Sequence, residues 1–284
     1  MKLDTLFEQF LQEKTYIQNC APLTIKHFRS SYKTYRKFVQ DDEVTQDSIN
    51  RFVVEARKAD MSVGCLNSYI RGFNSFLDWL FAAELTPTHL RIRLLKQEKK
   101  IGRSFTDDEL RRMTSFKPKT FSQKRIHVLT LALLDTGCRI NELLTLRREC
   151  VDFDNLLIKV MGKGSKERII PMSLELRKVL FRYMRHGHDL VFPDKFGNKW
   201  NHQNCHRDFT KWLVSINISP IGFHALRRTY AKNYLKYGGN LFYLKTVLGH
   251  SRLETTQCYV EVETDALKET HQKTSLLTRF RQGA

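Results

Sequence analysis

Residues 91–103 read RIRLLKQEKKIGR, six bases in thirteen residues with Glu98 as the lone acid. A stretch so charged builds no core of its own and marks a linker, so the chain folds in two parts on either side of it. Pro87 stands just before it. The 284 residues agree with that division, because a domain takes about 150 residues. The expected organisation is a helical domain over 1–90, a basic linker over 91–103 and a second domain over 104–284.

The first ninety residues carry helical periodicity and no strand pattern. Residues 5–13 form a short amphipathic helix. From Pro22 onward, Ile25, Phe28, Tyr32, Tyr35 and Val39 recur at three- and four-residue steps, the spacing of one buried helix face. Lys26, Ser30, Lys33 and Lys37 make a second, polar stripe on the same helix. Residues 45–58 give a third helix and 62–81 a fourth. In the fourth, Leu66, Ile70, Phe73, Leu77 and Leu80 point inward, with Asn67, Arg71 and Asn74 on another face. These polar faces are either ordinary solvated surfaces or a clamp on nucleic acid, with Lys26, Lys33, Asn67 and Arg71 as contacts.

Beyond the linker, Thr106-Asp107-Asp108-Glu109 opens a helix. Three acids in a row invite a metal-nuclease reading. Carboxylates of a two-metal site must converge from separate elements, however, and T-x-x-E is the spacing of a capping box. A strongly apolar helical stretch follows over 122–146, broken at Gly137. Two β-rich runs then flank Gly162-Lys163-Gly164-Ser165, a hairpin signal. Helices are expected over 174–184, 202–214, 225–237, 241–248, 255–262 and 265–280. The fold class is mostly α with a small β-hairpin or sheet.

Lys and Arg number 48 against 30 Asp and Glu, a formal charge of +18. Clustered cations release counterions on binding phosphate, so a polyanion is the expected partner and nucleic acid the first candidate. A 41% apolar share is too high for a disordered chain. The longest apolar runs reach about half a membrane span. The opening MKLDTLFEQF carries acids and no apolar h-region, so no secretory signal and no membrane partner are expected, and the cytoplasm, on the nucleoid, is the expected location.

Six cysteines stand at 20, 65, 138, 150, 205 and 258, none in C-x-x-C, which favours reduced thiols over a disulfide framework. His202, Cys205 and His206, with His186 and His188 upstream, hint at zinc, but the spacing matches no finger pattern. No metal and no other cofactor is expected.

Several short pieces could act on a phosphodiester. TGCRINEL sets Arg139 just past a helix-breaking glycine, with Glu142 one turn on to hold it. FHALR places His224 and Arg227 three apart at a helix start, on one face. Leu248-Gly249-His250 ends a helix at a histidine, and Tyr259 follows nine residues later. Each piece alone is common. In their order, with Lys163 on the hairpin between them, they resemble the catalytic set of the tyrosine recombinases, the phage integrase family. TGCRINELLTL resembles that family's first arginine box, MGKGSKERIIP its lysine hairpin, FHALRRTYA its H-x-x-R box and LGHSRLETTQCYVEV its His and Tyr box. The resemblance covers essentially the whole chain and is nearest to compact Xer-type recombinases and small integrases of mobile elements. Arg228 stands where many relatives have a second histidine.

The resemblance implies a helical core-binding domain, an α+β catalytic domain and a site-specific recombinase that needs neither ATP nor metal. Its catalytic residues would be Arg139, Lys163, His224, Arg227, His250 and the nucleophile Tyr259. Lys166 is the alternative general acid, or else a DNA contact. The partner would be double-stranded DNA with an inverted-repeat site, and four protomers would assemble on it through a Holliday junction. An accessory directionality factor is possible in this scheme, and helix 265–280 would dock on a neighbouring protomer or within its own. The chemistry agrees. Two guanidiniums can clamp the non-bridging oxygens of an anionic phosphodiester. A phenol, with a reference pKa near 10, needs a base such as His224 to attack at neutral pH. Two alternatives stay open: a DNA-binding protein that kept this fold without the chemistry, and a type IB topoisomerase-like or hairpin-resolving enzyme.

Overall fold

The computed structural model describes residues 2–97, 102–162, 167–184 and 188–249. The chain divides into two compact units, Met1–Ile101 and Gly102–Ala284, each with its own core. Among the described residues, no helix is long and apolar enough to cross a membrane.

The first unit is built on four helices: α1 (Leu3–Gln12), α2 (Pro22–Phe38), α3 (Gln46–Lys58) and α4 (Val63–Ala82). One π-helical turn, Glu13–Ile17, extends α1. Local chemistry sets the starts. Pro22 occupies the first turn of α2, where its missing N–H costs nothing. The Thr45 hydroxyl accepts from the Ser48 N–H and the Ser48 hydroxyl from the Thr45 N–H, a capping box for α3. Ser62 caps α4. The faces foreseen from the periodicity meet in an aromatic core, where Tyr35 stacks on Phe73 with ring centres 4.1 Å apart. Lys26 and Lys33 lie exposed on the outer face of α2.

Two expectations need correction here. Asn67 is not a surface contact. It is buried, its Nδ2 donates to the Leu95 carbonyl at 2.9 Å, and its Oδ1 accepts from the Leu95 N–H at 2.8 Å. Asn74, two turns along α4, holds Ile92 in the same way at 2.9 and 3.0 Å. Each amide imitates a neighbouring strand and satisfies a peptide unit that has left regular structure. The linker is also shorter than 91–103. Residues 91–95 form a strap on α4 with Ile92 in the core, and the compact unit ends at residue 101. The strap leaves Arg91 and Arg93 exposed beside Arg71, which is itself exposed.

Replacing Asn74 with alanine strands the buried N–H and C=O of Ile92, at about 1–3 kcal/mol for an unmet buried group. We expect the first unit to unfold at lower denaturant and residues 91–95 to be cut faster in limited proteolysis. An unchanged cleavage rate there would count against the tether.

The second unit begins with α5 (Asp107–Thr114), α6 (Phe121–Thr136) and α7 (Ile140–Leu144). The Thr106 and Glu109 capping box is present, so the acidic run is a helix start. A three-stranded antiparallel sheet follows in the order β1 (Val151–Asp152), β2 (Leu157–Met161), β3 (Glu167–Pro171). Met161 pairs with Glu167, and residues 163–166 between the two strands lie outside the described residues. Ile158, Val160 and Ile170 face the core, whereas Lys159 and Ile169 face outward, the two-residue alternation of a half-buried sheet. Helices α8 (Leu174–Tyr183), α9 (His202–Ser215), α10 (His224–Lys236) and α11 (Leu241–Leu248) complete the described unit. The expected helices over 255–262 and 265–280 lie outside the described residues.

Candidate active site

Helix α6 ends at Gly137, whose φ of +62° is left-handed. A Cβ there would sit 2.3 Å from Tyr230 Cδ1, so the turn demands glycine twice over. The chain emerges extended at Arg139 and re-enters a helix as α7. Glu142, three residues on, accepts from the Arg139 backbone N–H at 2.7 Å and from its Nη1 at 2.9 Å. The partnership read from the R-x-x-E spacing is therefore present.

Glu142 also has a partner that the sequence did not suggest. Arg168, on β3, grips it with both arms of its guanidinium, Nη1 to Oε1 at 2.8 Å and Nη2 to Oε2 at 2.7 Å. Burial alone would push the Glu142 carboxyl up. The Arg168 fork, the Arg139 backbone N–H and the Arg139 side chain outweigh it and hold the group below its usual value.

Arg227 reaches the same place from α10. That helix starts at His224, after Phe223, whose ring stacks on Phe209 with centres 4.5 Å apart. Arg227 is buried; its Nη1 donates to the Gly137 carbonyl at 2.8 Å and its Nη2 to the Leu248 carbonyl.

The three arginines converge on the end of α11. Arg168 Nε donates to the Val247 carbonyl at 2.8 Å, Arg227 Nη2 to Leu248, and Arg139 Nη2 to Gly249 at 3.1 Å. Three consecutive carbonyls, at the negative end of a helix, thus meet three guanidiniums from three different elements. Gly249 closes α11 in the left-handed conformation at φ +63°. His250 follows directly. Arg139 and Arg168 share the one carboxylate of Glu142. Arg139 keeps about a third of its side chain exposed, which leaves it accessible to an anion.

His224 lies exposed at the first position of α10. Its pKa is lowered, first by desolvation and then by the positive field of Arg227, Arg228, Arg139 and His202. It is therefore neutral at pH 7 and able to accept a proton. Arg228 points elsewhere, its guanidinium donating to the Arg103 carbonyl at 2.9 Å through Nη2.

Of the six expected catalytic residues, Arg139, His224 and Arg227 are thus brought to one region. Lys163, His250 and Tyr259 lie outside the described residues, as does Lys166. The hint of zinc at 202–206 finds no support in the geometry. Cys205 is buried in the core and its thiol is pushed up to about 12, whereas His202 and His206 are exposed against the edge of Phe223. A ligand thiol must be deprotonated, and burial opposes that. Cys138, beside Arg139, is likewise buried and raised to about 11.

Similar proteins carry the same architecture. A tyrosine recombinase XerA of Thermococcus onnurineus is 27% identical over 290 residues, covering 97% of this chain and 98% of its own. A tyrosine recombinase XerD of Vibrio cholerae is 24% identical over 305 residues, covering 94% of each. Among solved structures, the Tn1549 transposon integrase in complex with a circular intermediate DNA superposes with a TM-score of 0.78 at 18% identity, over 96% of this chain and 99% of that one. A lambda integrase dimer bound to a COC' core site gives 0.76 at 15% identity, over 93% and 100%. These likenesses establish the fold as that of tyrosine recombinases. The phage integrase family model matches residues 103–265, more than half of the chain and all of the region just described, and the chain belongs to that family.

Proposed function

We infer that this protein is a site-specific tyrosine recombinase, an enzyme that breaks and rejoins double-stranded DNA without ATP or metal. The observation that carries the reading is the convergence of Arg139 and Arg227 with a neutral His224 beside them, in a chain of this family. The two guanidiniums bind the non-bridging oxygens of the scissile phosphate and stabilise the charge that builds there in the transition state. Tyr259 gives its phenolic proton to His224 and attacks phosphorus. The bond from phosphorus to the 5′-oxygen breaks, and Lys163, or Lys166, protonates that oxygen as it leaves. His250 adds a hydrogen bond to the phosphate. The strand is left joined to Tyr259 by a 3′-phosphotyrosyl ester, and a 5′-hydroxyl from a partner strand reverses the step.

Two relatives of known structure were captured on DNA, the Tn1549 integrase and lambda integrase. For this chain the corresponding partner is a duplex with inverted repeats. Four protomers hold two such sites, and residues 265–280 dock on a neighbouring protomer or within their own. Lys26, Lys33, Arg71 and Lys166 contribute contacts to the phosphate backbone, and the protein works on the nucleoid in the cytoplasm.

The test is strand exchange between two duplexes bearing inverted repeats selected from random DNA for tight binding of this protein. Holliday junctions and recombinant products on native gels are expected. Relaxation of supercoiled DNA by a protomer alone, with no junctions, would replace this reading with a topoisomerase-like one.

The pH dependence follows from His224. Its lowered pKa means the free enzyme keeps a neutral imidazole down to below pH 6.5. The acid limb of kcat/KM for cleavage is expected to bend below that value, and His224→Gln should remove it along with most of the rate. The linkage has the same sign. The unfolded chain takes this proton more readily, so stability falls as pH drops below 6.5. An acid limb bending above 7 would contradict His224 as the base.

A further inference from the structure

Arg168 lies on β3, two residues past Lys166 in the sequence, and the chemistry above gives it no part. Its side chain is 11% exposed. All three of its nitrogens bond to protein, two to the Glu142 carboxylate and Nε to the Val247 carbonyl. Gly249 packs beside it: a Cβ at Gly249 would come within 3.3 Å of the Arg168 Cδ, Nε and Cζ. One planar side chain thus ties the carboxylate that holds Arg139 to the end of α11. Its backbone is the hairpin strand that leads from Lys163 and Lys166. Its fork holds the carboxylate that also holds Arg139. Its third donor fixes the end of α11 at Val247, the residue just before Leu248-Gly249-His250.

We propose that Arg168 is a positioning residue, which sets the hairpin base, the Arg139 guanidinium and the end of α11 in register so that their groups reach the scissile phosphate together. This role rests on the recombinase reading. We assign Arg168 no direct DNA contact, since each of its three nitrogens already donates to protein. Lysine would keep the charge but could not replace it. An ammonium is a point charge and cannot span a carboxylate and a carbonyl on separate elements in one plane.

The experiment uses the full chain and a nicked duplex bearing the inverted repeats selected for tight binding of this protein. Arg168→Lys is compared with wild type for affinity on the intact duplex, covalent cleavage at saturating DNA, and melting temperature. We expect affinity within about threefold of wild type and cleavage slower by about 10²-fold, the scale for a displacement of roughly 1 Å at a reacting centre. In a Glu142→Gln background the same change should add less than about threefold, because the two act as one unit. If Arg168→Lys melts too early to assay, Glu142→Asp shortens the same fork and predicts the same split between affinity and rate. A wild-type cleavage rate in either variant overturns the role, as does a loss of affinity in proportion to the loss of rate. Wild-type protein that forms no adduct overturns the recombinase reading itself, and this role with it.

Discussion

Replacing Arg139 with alanine is expected to slow DNA cleavage at saturating substrate by about 10²–10³-fold, the usual loss when one preorganised donor to a developing charge is removed. The structure explains why the effect falls on chemistry and not on folding. Arg139 sits between a buried carboxylate and solvent, a third exposed, with Glu142 on one arm and the Gly249 carbonyl on the other. Glu142 keeps its bidentate partner Arg168 when Arg139 is lost, so the carboxylate is not stranded. The expected signature is a large fall in single-turnover cleavage with a shift of only a few degrees in melting temperature. Arg139→Lys should recover little, because a lysine cannot offer the paired, coplanar donors that a phosphate accepts. Equal loss in DNA affinity and cleavage would make Arg139 a general contact and not a group acting at the reacting phosphate.

Glu142→Ala has the opposite character. It leaves the buried Arg168 fork without a partner and removes one of two anchors from Arg139. Breaking a buried ion pair by deleting one partner costs about 3–5 kcal/mol. For a unit of this size each kcal/mol moves the melting temperature by roughly 2–4 °C, so a drop on the order of 10 °C is expected. Activity should vanish as well, because Arg139 and the end of α11 both lose their reference. The pH dependence supplies a second check. Glu142 has a lowered folded-state pKa against a usual value of 4.5, so its stabilisation is complete above 4.5 and is lost as pH falls through the lower folded value. Glu142→Gln should flatten the acid side of the stability profile. A melting temperature unchanged by Glu142→Ala would mean that the arginines find other partners.

Much of this architecture could be read in one dimension. The helices of the first unit show their buried faces at three- and four-residue steps, with Thr45 and Ser62 marking two of their starts, and Thr106 marks the first helix of the second unit. Gly137 announces a break that only a left-handed residue can make. The hairpin is announced by two β-rich runs around Gly162 and Gly164. The first two residues of the site, Arg139 and Glu142, are also a local pair.

What escaped has a common cause, partners far apart in sequence. Asn67 and Asn74 look like an outer polar face because periodicity records polarity and not its satisfaction. Their partners, Leu95 and Ile92, stand 28 and 18 residues away. A signal was present, since each asparagine directly follows a core residue, Leu66 or Phe73, and the two recur at a seven-residue step. Arg168 meets Glu142 across 26 residues and a sheet register that local spacing does not fix. Strand β1, at two residues, is too short to carry any alternation.

The central claim is that one phenol becomes esterified to a broken DNA strand beside the arginines. The direct measurement is to trap the covalent complex on a nicked duplex, digest protein and DNA, and identify the modified peptide by mass spectrometry. The tryptic peptide over residues 253–268 should carry a nucleotide joined through its 3′-phosphate to Tyr259, and Tyr259→Phe should bind the duplex without forming the adduct. A linkage at any other residue, or through a 5′-phosphate, would contradict the account.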